Sequence, residues 1–174
     1  MALKGNKMVH KICKLSLIAL VGTFILTFPA ACTDRTVNYS FSFGGYGENE
    51  GIEVLNYRYS GPNLTPIAPP DWAVKSGHIG QGAGVGGFMP VGDALYVKWR
   101  VEATDKVYED NVNLKGLLPW DMTNNRVTFI VKGSQLYVYL ISPHGHKPEG
   151  PECPVHTYRD FGCTELYPEH WQNF

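Results

Sequence analysis

The chain has 174 residues, 44% hydrophobic and 18% charged, with 15 Lys and Arg against 16 Asp and Glu. Four of those cations lie in residues 1–31, which hold no acid, so residues 32–174 carry eleven cations against sixteen acids, about −5 net. That balance leaves no electrostatic footprint for nucleic acid or for an anionic membrane surface, and nucleic acid is excluded as a partner.

The first 31 residues follow the order of a secretory leader. Lys4, Lys7, Lys11 and Lys14 form a basic segment, residues 15–28 (LSLIALVGTFILTF) are uncharged, and Pro29, Ala30 and Ala31 precede Cys32. About fifteen residues at ~1.5 Å each reach roughly 22 Å as a helix, short of the ~30 Å hydrocarbon core, so cleavage is expected rather than a permanent span. A cysteine directly after two alanines resembles the lipobox of bacterial lipoproteins, with Pro29 where a leucine is usual. The resemblance implies that Cys32 receives diacylglycerol and an N-acyl chain and becomes the mature N-terminus. At ~0.8 kcal/mol per buried CH₂, that many acyl carbons hold a protein stably on a membrane. Thr33, with Asp34 one place later, is similar to an outer-membrane sorting signal. An ordinary secreted protein cleaved nearby is the alternative. Residues 32–174 are expected to form one domain, long enough to bury its own core.

Beyond the leader the pattern is that of strands. TVNYSFSF (36–43) alternates, with Val37, Tyr39, Phe41 and Phe43 on one face. IEVLNYRYS (52–60) sets Leu55, Tyr57 and Tyr59 against Asn56 and Arg58. Residues 60–73 contain four prolines, which exclude a central strand, and residues 77–87 (GHIGQGAGVGG) lack side chains with which to build a core; both are expected to be loops. ALYVKWRVE (94–102) points Leu95, Val97, Trp99 and Val101 inward. KVYEDNVNL (106–114) is a weaker strand, paired with its predecessor across Ala103, Thr104 and Asp105. Residues 119–124 have room for one helical turn. RVTFIVKGSQLYVYLIS (126–142) reads as a hairpin with a type II′ turn at Gly133-Ser134. Its second arm is apolar on both faces and belongs inside a sheet or between layers. The expected fold is all-β: a two-sheet sandwich or open barrel of about six to seven mostly antiparallel strands.

From Pro143 the tail turns polar. Cys13 leaves with the leader and Cys32 is consumed by lipid, so Cys153 and Cys163 remain as an even pair in an oxidising compartment. A disulfide is expected, and two reduced thiols are the alternative.

No catalytic constellation emerges. The glycine run leads into Phe88, Met89 and Pro90 rather than Lys-Ser/Thr and a helix, which excludes a phosphate loop. His144, His146, His156 and His170 surround the two cysteines without zinc-site spacing, and oxidation removes both thiols as ligands, so no metal and no cofactor are expected. There is no G-x-S-x-G elbow around Ser42, Ser60, Ser76 or Ser134. Glu109 and Asp110 are adjacent in a strand and face opposite ways; Glu48 and Glu50 lie in a turn. What remains is surface. Tyr46, Trp72, Trp120, Tyr167 and Trp171 lie outside the best core strands, and either pack under loops or contact a partner.

The run from Leu114 to Ser142, LKGLLPWDMTNNRVTFIVKGSQLYVYLIS, resembles a signature of small Gram-negative lipoproteins, carried by the entry at Pro119 and the strand Gln135-Leu136-Tyr137-Val138-Tyr139-Leu140. Leu95-Tyr96-Val97-Lys98-Trp99, Val107-Tyr108-Glu109-Asp110 and the closing Glu165-Leu166-Tyr167-Pro168 fit the same pattern. Such lipoproteins tend to be encoded beside type VI secretion phospholipase effectors and look like immunity proteins, which block the toxin in the periplasm. The resemblance implies a non-enzymatic inhibitor, anchored by lipid to the periplasmic face of the outer membrane, whose partner is the cognate secreted lipase. A structural or assembly lipoprotein of the envelope is the alternative, and a lipid-binding enzyme would show an apolar pocket with converging polar groups.

Overall fold

Strand alternation organises nearly everything that the computed structural model describes, namely residues 36–44, 47, 49–143, 153–155, 158 and 161–168. All of these belong to one compact unit, Asp34–Phe174. The leader, Cys32, Thr33, Tyr46, Glu48, His144, His146, His156, His170 and Trp171 lie outside the described residues.

Nine strands are present among them: β1 (Thr36–Phe43), β2 (Ile52–Gly61), β3 (Leu64–Ile67), β4 (Gly84–Pro90), β5 (Ala94–Val101), β6 (Lys106–Asn113), β7 (Arg126–Lys132), β8 (Gln135–Ser142) and β9 (Gly162–Tyr167). One short helix, α1 (Asp71–Ser76), separates β3 from β4. The strands form a five-stranded sheet, ordered β4-β1-β7-β8-β9, and a four-stranded sheet, ordered β3-β2-β5-β6. Every pair is antiparallel except β1 with β7. The fold is a β-sandwich, and the barrel alternative is set aside because the two sheets do not close on one another.

The core lies between the sheets. Tyr39, Phe41 and Phe43 of β1 and Val127, Phe129 and Val131 of β7 meet Tyr57 and Tyr59 of β2 and Leu95, Val97 and Trp99 of β5. Phe41 stacks on Tyr59 at 4.4 Å and Phe43 on Phe129 at 4.9 Å, while Tyr57 meets Phe129 edge-on at 5.4 Å. Each fully buried side chain of this size stabilises by roughly 1.5–3 kcal/mol, and offset or edge-on ring pairs add ~0.5–1.5 kcal/mol. The Trp99 indole N–H donates to the Gly133 carbonyl at 2.9 Å, tying the β5 face to the β7–β8 hairpin. In that hairpin Lys132 pairs with Gln135 across Gly133, whose φ is +57°, and Ser134 keeps a negative φ, as a type II′ turn requires.

Four expectations are corrected. In β2 a bulge between Val54 and Asn56 shifts the phase, so Ile52 and Val54 point inward before it and Tyr57 and Tyr59 after it, and Leu55 is only partly buried. Within residues 60–73, β3 forms despite Pro66 because it is an outermost strand, where a missing ladder donor costs little. The segment after it also folds: α1 follows Pro70 and ends where the N–H groups of Gly77 and His78 return to the carbonyls of Val74 and Ala73. The glycine run is not all loop, because β4 begins at Gly84 and pairs with β1. There a Cβ at Gly84 would lie 3.0 Å from the Phe41 carbonyl and 3.1 Å from Ser42 Cβ, so the missing side chain lets the strands close. Residues 119–124 make no helical turn: Thr123 N–H is held by Asp121 Oδ1 at 2.9 Å and Asn124 has φ +60°.

The apolar outer face expected of the second hairpin arm is covered. Ile130, Tyr139 and Ile141 form a second cluster with Cys153 and Val155 on the side of the sheet away from the main core. Cys153 and Cys163 are disulfide-bonded, with Cα atoms 5.4 Å apart, and Cys163 sits in β9 opposite Ile141. The bridge fastens the tail over β8.

Candidate interaction surface

Two outermost strands approach each other along one margin of the sandwich, β3 from one sheet and β4 from the other. Their side chains leave a groove of about 450 Å³ lined chiefly by Leu64, Pro66, Ile67, Val85, Met89 and Pro90. Leu64 is buried; Val85 is exposed, and Ile67 and Met89 are half-buried. Each outermost strand also presents one side of its backbone ladder outward, the feature by which an added strand or loop of a partner docks.

Three residues separate β3 from α1. Ala73 is its buried residue, and the helix turns Trp72 (70% exposed) and Val74 outward. An exposed tryptophan held on a helical turn is the kind of side chain that interface hot spots favour.

The opposite sandwich margin is closed. Asp110 faces inward from β6, and the Tyr167 hydroxyl of β9 donates to its Oδ2 at 2.6 Å, joining the two sheets. The carboxylate beside it, more than burial, raises the pKa of the Tyr167 hydroxyl. Tyr167 is thus engaged within the fold, whereas Trp72 and Trp120 (80% exposed) face outward. These two tryptophans are not brought together. Trp72 belongs to α1, whose Gly77 closes on Glu53 near the start of β2, and Trp120 lies in the connection between β6 and β7, at the other end of the strands.

Two polar clefts complete the surface. On the outer face of the four-stranded sheet, Arg58, Tyr96 and Asn111 share one cross-strand row and, with Asp93 and Asn113, border a shallow cleft of about 530 Å³. Beside it Tyr96 donates to Glu109 Oε2 at 3.0 Å; partial burial and then that carboxylate raise its pKa. At one end of the sandwich Glu53, His78, Gln81 and Glu102 line a cleft of about 270 Å³. His78 Nδ1 lies 2.6 Å from the Ser76 carbonyl and so carries the proton, while Glu53 is bonded to Arg100 at 3.0 Å. Among the described residues no group of three or more His, Cys, Asp and Glu is arranged to hold a metal. Ser42 is buried and bonded to Thr128 Oγ1, and Ser76 donates to the Ala73 carbonyl. Glu109 and Asp110 point to opposite faces, as alternation requires.

The sequence reading missed Val85, Met89 and Phe88 (82% exposed), because the glycines beside them suggested a loop. Their signal was the apolar Phe88-Met89-Pro90 run closing that segment. Comparison with protein-family models, with curated proteins and with solved structures finds no match.

Proposed function

We propose that this chain is a lipid-anchored periplasmic lipoprotein of the immunity type, which binds a secreted phospholipase effector and blocks it without chemistry of its own. The observation that carries the reading is the β3–β4 margin, an apolar groove between two outermost strands of a stapled sandwich; Trp72 and Val74 are exposed on α1, which begins four residues beyond the end of β3. A rigid scaffold loses little entropy on association, so one aromatic anchor and a groove suffice for tight binding. The leader and the resemblance of residues 114–142 to small Gram-negative lipoproteins support the placement and the class of partner.

The test is calorimetric titration of the mature protein with the lipase encoded beside its gene, together with growth of cells expressing that lipase in the periplasm. Binding in the nanomolar range and restored growth are expected, and Trp72→Ala is expected to weaken binding by about 30-fold, the ~2 kcal/mol of a hot-spot residue. Absence of binding, or of protection, removes the proposal. A secretion or growth defect on deletion in cells free of toxin would point to envelope assembly instead.

A further inference from the structure

Phe88 and Trp120 are the two most exposed of the large apolar side chains described, and both sit where the chain enters the sandwich. Thr36, the first residue of β1, pairs with Pro90 at the end of β4, and Asn38 pairs with Phe88, so Phe88 lies beside the first turns of β1 on its β4 side. On its β7 side lies the β6–β7 connection. Asn124 N–H donates to the Asn38 carbonyl at 2.8 Å, and Ser40 N–H donates to the Asn125 carbonyl at 3.1 Å. The connection is firmly seated: Leu114 and Met122 are fully buried, Leu117 and Leu118 pack on the core, and Trp120 is carried between them. The entry strand therefore has an exposed aromatic residue on either side.

We propose that this end of the sandwich rests in the headgroup layer of the bilayer, with Trp120 and Phe88 as its contacts. The inference deepens the reading above and rests on lipid attachment at Cys32. Only Thr33, Asp34 and Arg35 separate that cysteine from β1. Four Cα steps reach at most about 14 Å fully extended. A headgroup region occupies roughly 5–8 Å on each side of the hydrocarbon. The start of β1 is thus held within about one headgroup thickness of the surface, and the end it belongs to has no room to turn away. Tryptophan and its aromatic neighbours favour that layer, where the ring is sheltered and the indole N–H stays wet. Electrostatics does not supply the contact, since residues 32–174 carry about −5 net. The contact is apolar and insensitive to salt. It also orients the molecule, so that the β3–β4 margin stands upright from the membrane and the end bearing His78 and Glu102 points away.

The test uses the full mature protein purified from membranes, its N-terminal mass measured first, then reconstituted in phosphatidylethanolamine–phosphatidylglycerol vesicles whose acyl chains carry bromine. Quenching of tryptophan emission is compared among wild type, Trp120→Phe and Phe88→Ser, with Trp99 near-ultraviolet dichroism as the check on folding. Expected is quenching at least twice that of unbrominated controls, lost in Trp120→Phe, reduced in Phe88→Ser, and unchanged between 0.1 and 1 M salt. A lipidated protein in which wild type and Trp120→Phe are quenched alike overturns the proposal while leaving the anchor standing. So does a Trp120 that is shielded only when the lipase is added, which would assign this end to the protein partner. An unmodified Cys32 removes the anchor and this inference together.

Discussion

At the scale of single residues, Gly92 has the closest neighbours of the described glycines. Its N–H is shared between the hydroxyls of Tyr59 at 3.1 Å and Tyr39 at 3.3 Å; Tyr59 donates back to the Gly92 carbonyl, and Tyr39 donates to the Pro90 carbonyl at 2.8 Å. A Cβ at position 92 would lie 2.5 Å from Tyr59 Cζ and 2.9 Å from the Ser60 carbonyl. Gly92→Ala is expected to cost about 2–3 kcal/mol, from overpacking and from spoiling one or two of these bonds, read as a fall in the urea midpoint. Tyr59→Phe keeps the ring stacked on Phe41 and should cost only ~1–1.5 kcal/mol. No sequence pattern revealed this clamp, since a glycine before Asp93 looks like any turn residue. For a related reason Tyr167 reads in the sequence as either packed under a loop or in contact with a partner. Its partner Asp110 is far away in sequence, and only the pairing of β9 with β8 brings them together.

Among the elements, those with inward–outward alternation were legible: β1, β2, β5, β6 and the β7–β8 hairpin all lie where period-two patterning placed them. The elements that were missed carry signals that compete with alternation. β3 contains a proline, β4 has three glycines in seven residues, and β9 lies in a polar tail that a disulfide ties down. Gly84→Val tests the reason for β4: pressing a branched side chain against the Phe41 carbonyl should cost about 2 kcal/mol and raise amide exchange in β4 before the rest of the sheet. The staple is tested by the double variant Cys153→Ser/Cys163→Ser. Closing a loop of sequence separation 10 stabilises by about 2–3 kcal/mol on the chain-entropy model. The variant should lower the urea midpoint accordingly and bind a hydrophobic dye at the outer face of β7 and β8, where Ile130, Tyr139 and Ile141 lose their cover. The candidate surface was half visible: Trp72 stood out as an aromatic residue among prolines, and the groove came into view only with β3 and β4 in place.

For the whole molecule, the sandwich followed from the balance of inward aromatics against outward polar residues, but its strand order did not. The parallel contact of β1 with β7 joins segments with no local signature in common. A collective property does follow from the core. Burial raises the pKa of Tyr39, Tyr57, Tyr59 and Tyr139 in the folded state above the ordinary value near 10. The unfolded chain therefore releases these protons first as pH rises, so their contribution is complete below about pH 10 and is lost as pH climbs toward the folded-state values. The urea midpoint is expected to fall steadily above pH 10. Tyr57→Phe should flatten that decline, and the share of the tyrosinate absorbance at 295 nm that belongs to these four side chains should appear only as the protein unfolds.

The same parallel pairing imposes a timetable on the nascent polypeptide. β2, β5 and β6 are neighbours that can zip together as each emerges, and β1 can pair with β4, but the other side of β1 is filled only once Arg126–Lys132 exists, with Phe43 waiting for Phe129. Such distant partnerships fold slowly. The five-stranded sheet is thus finished late, and one side of its N-terminal strand stays open until β7 has emerged.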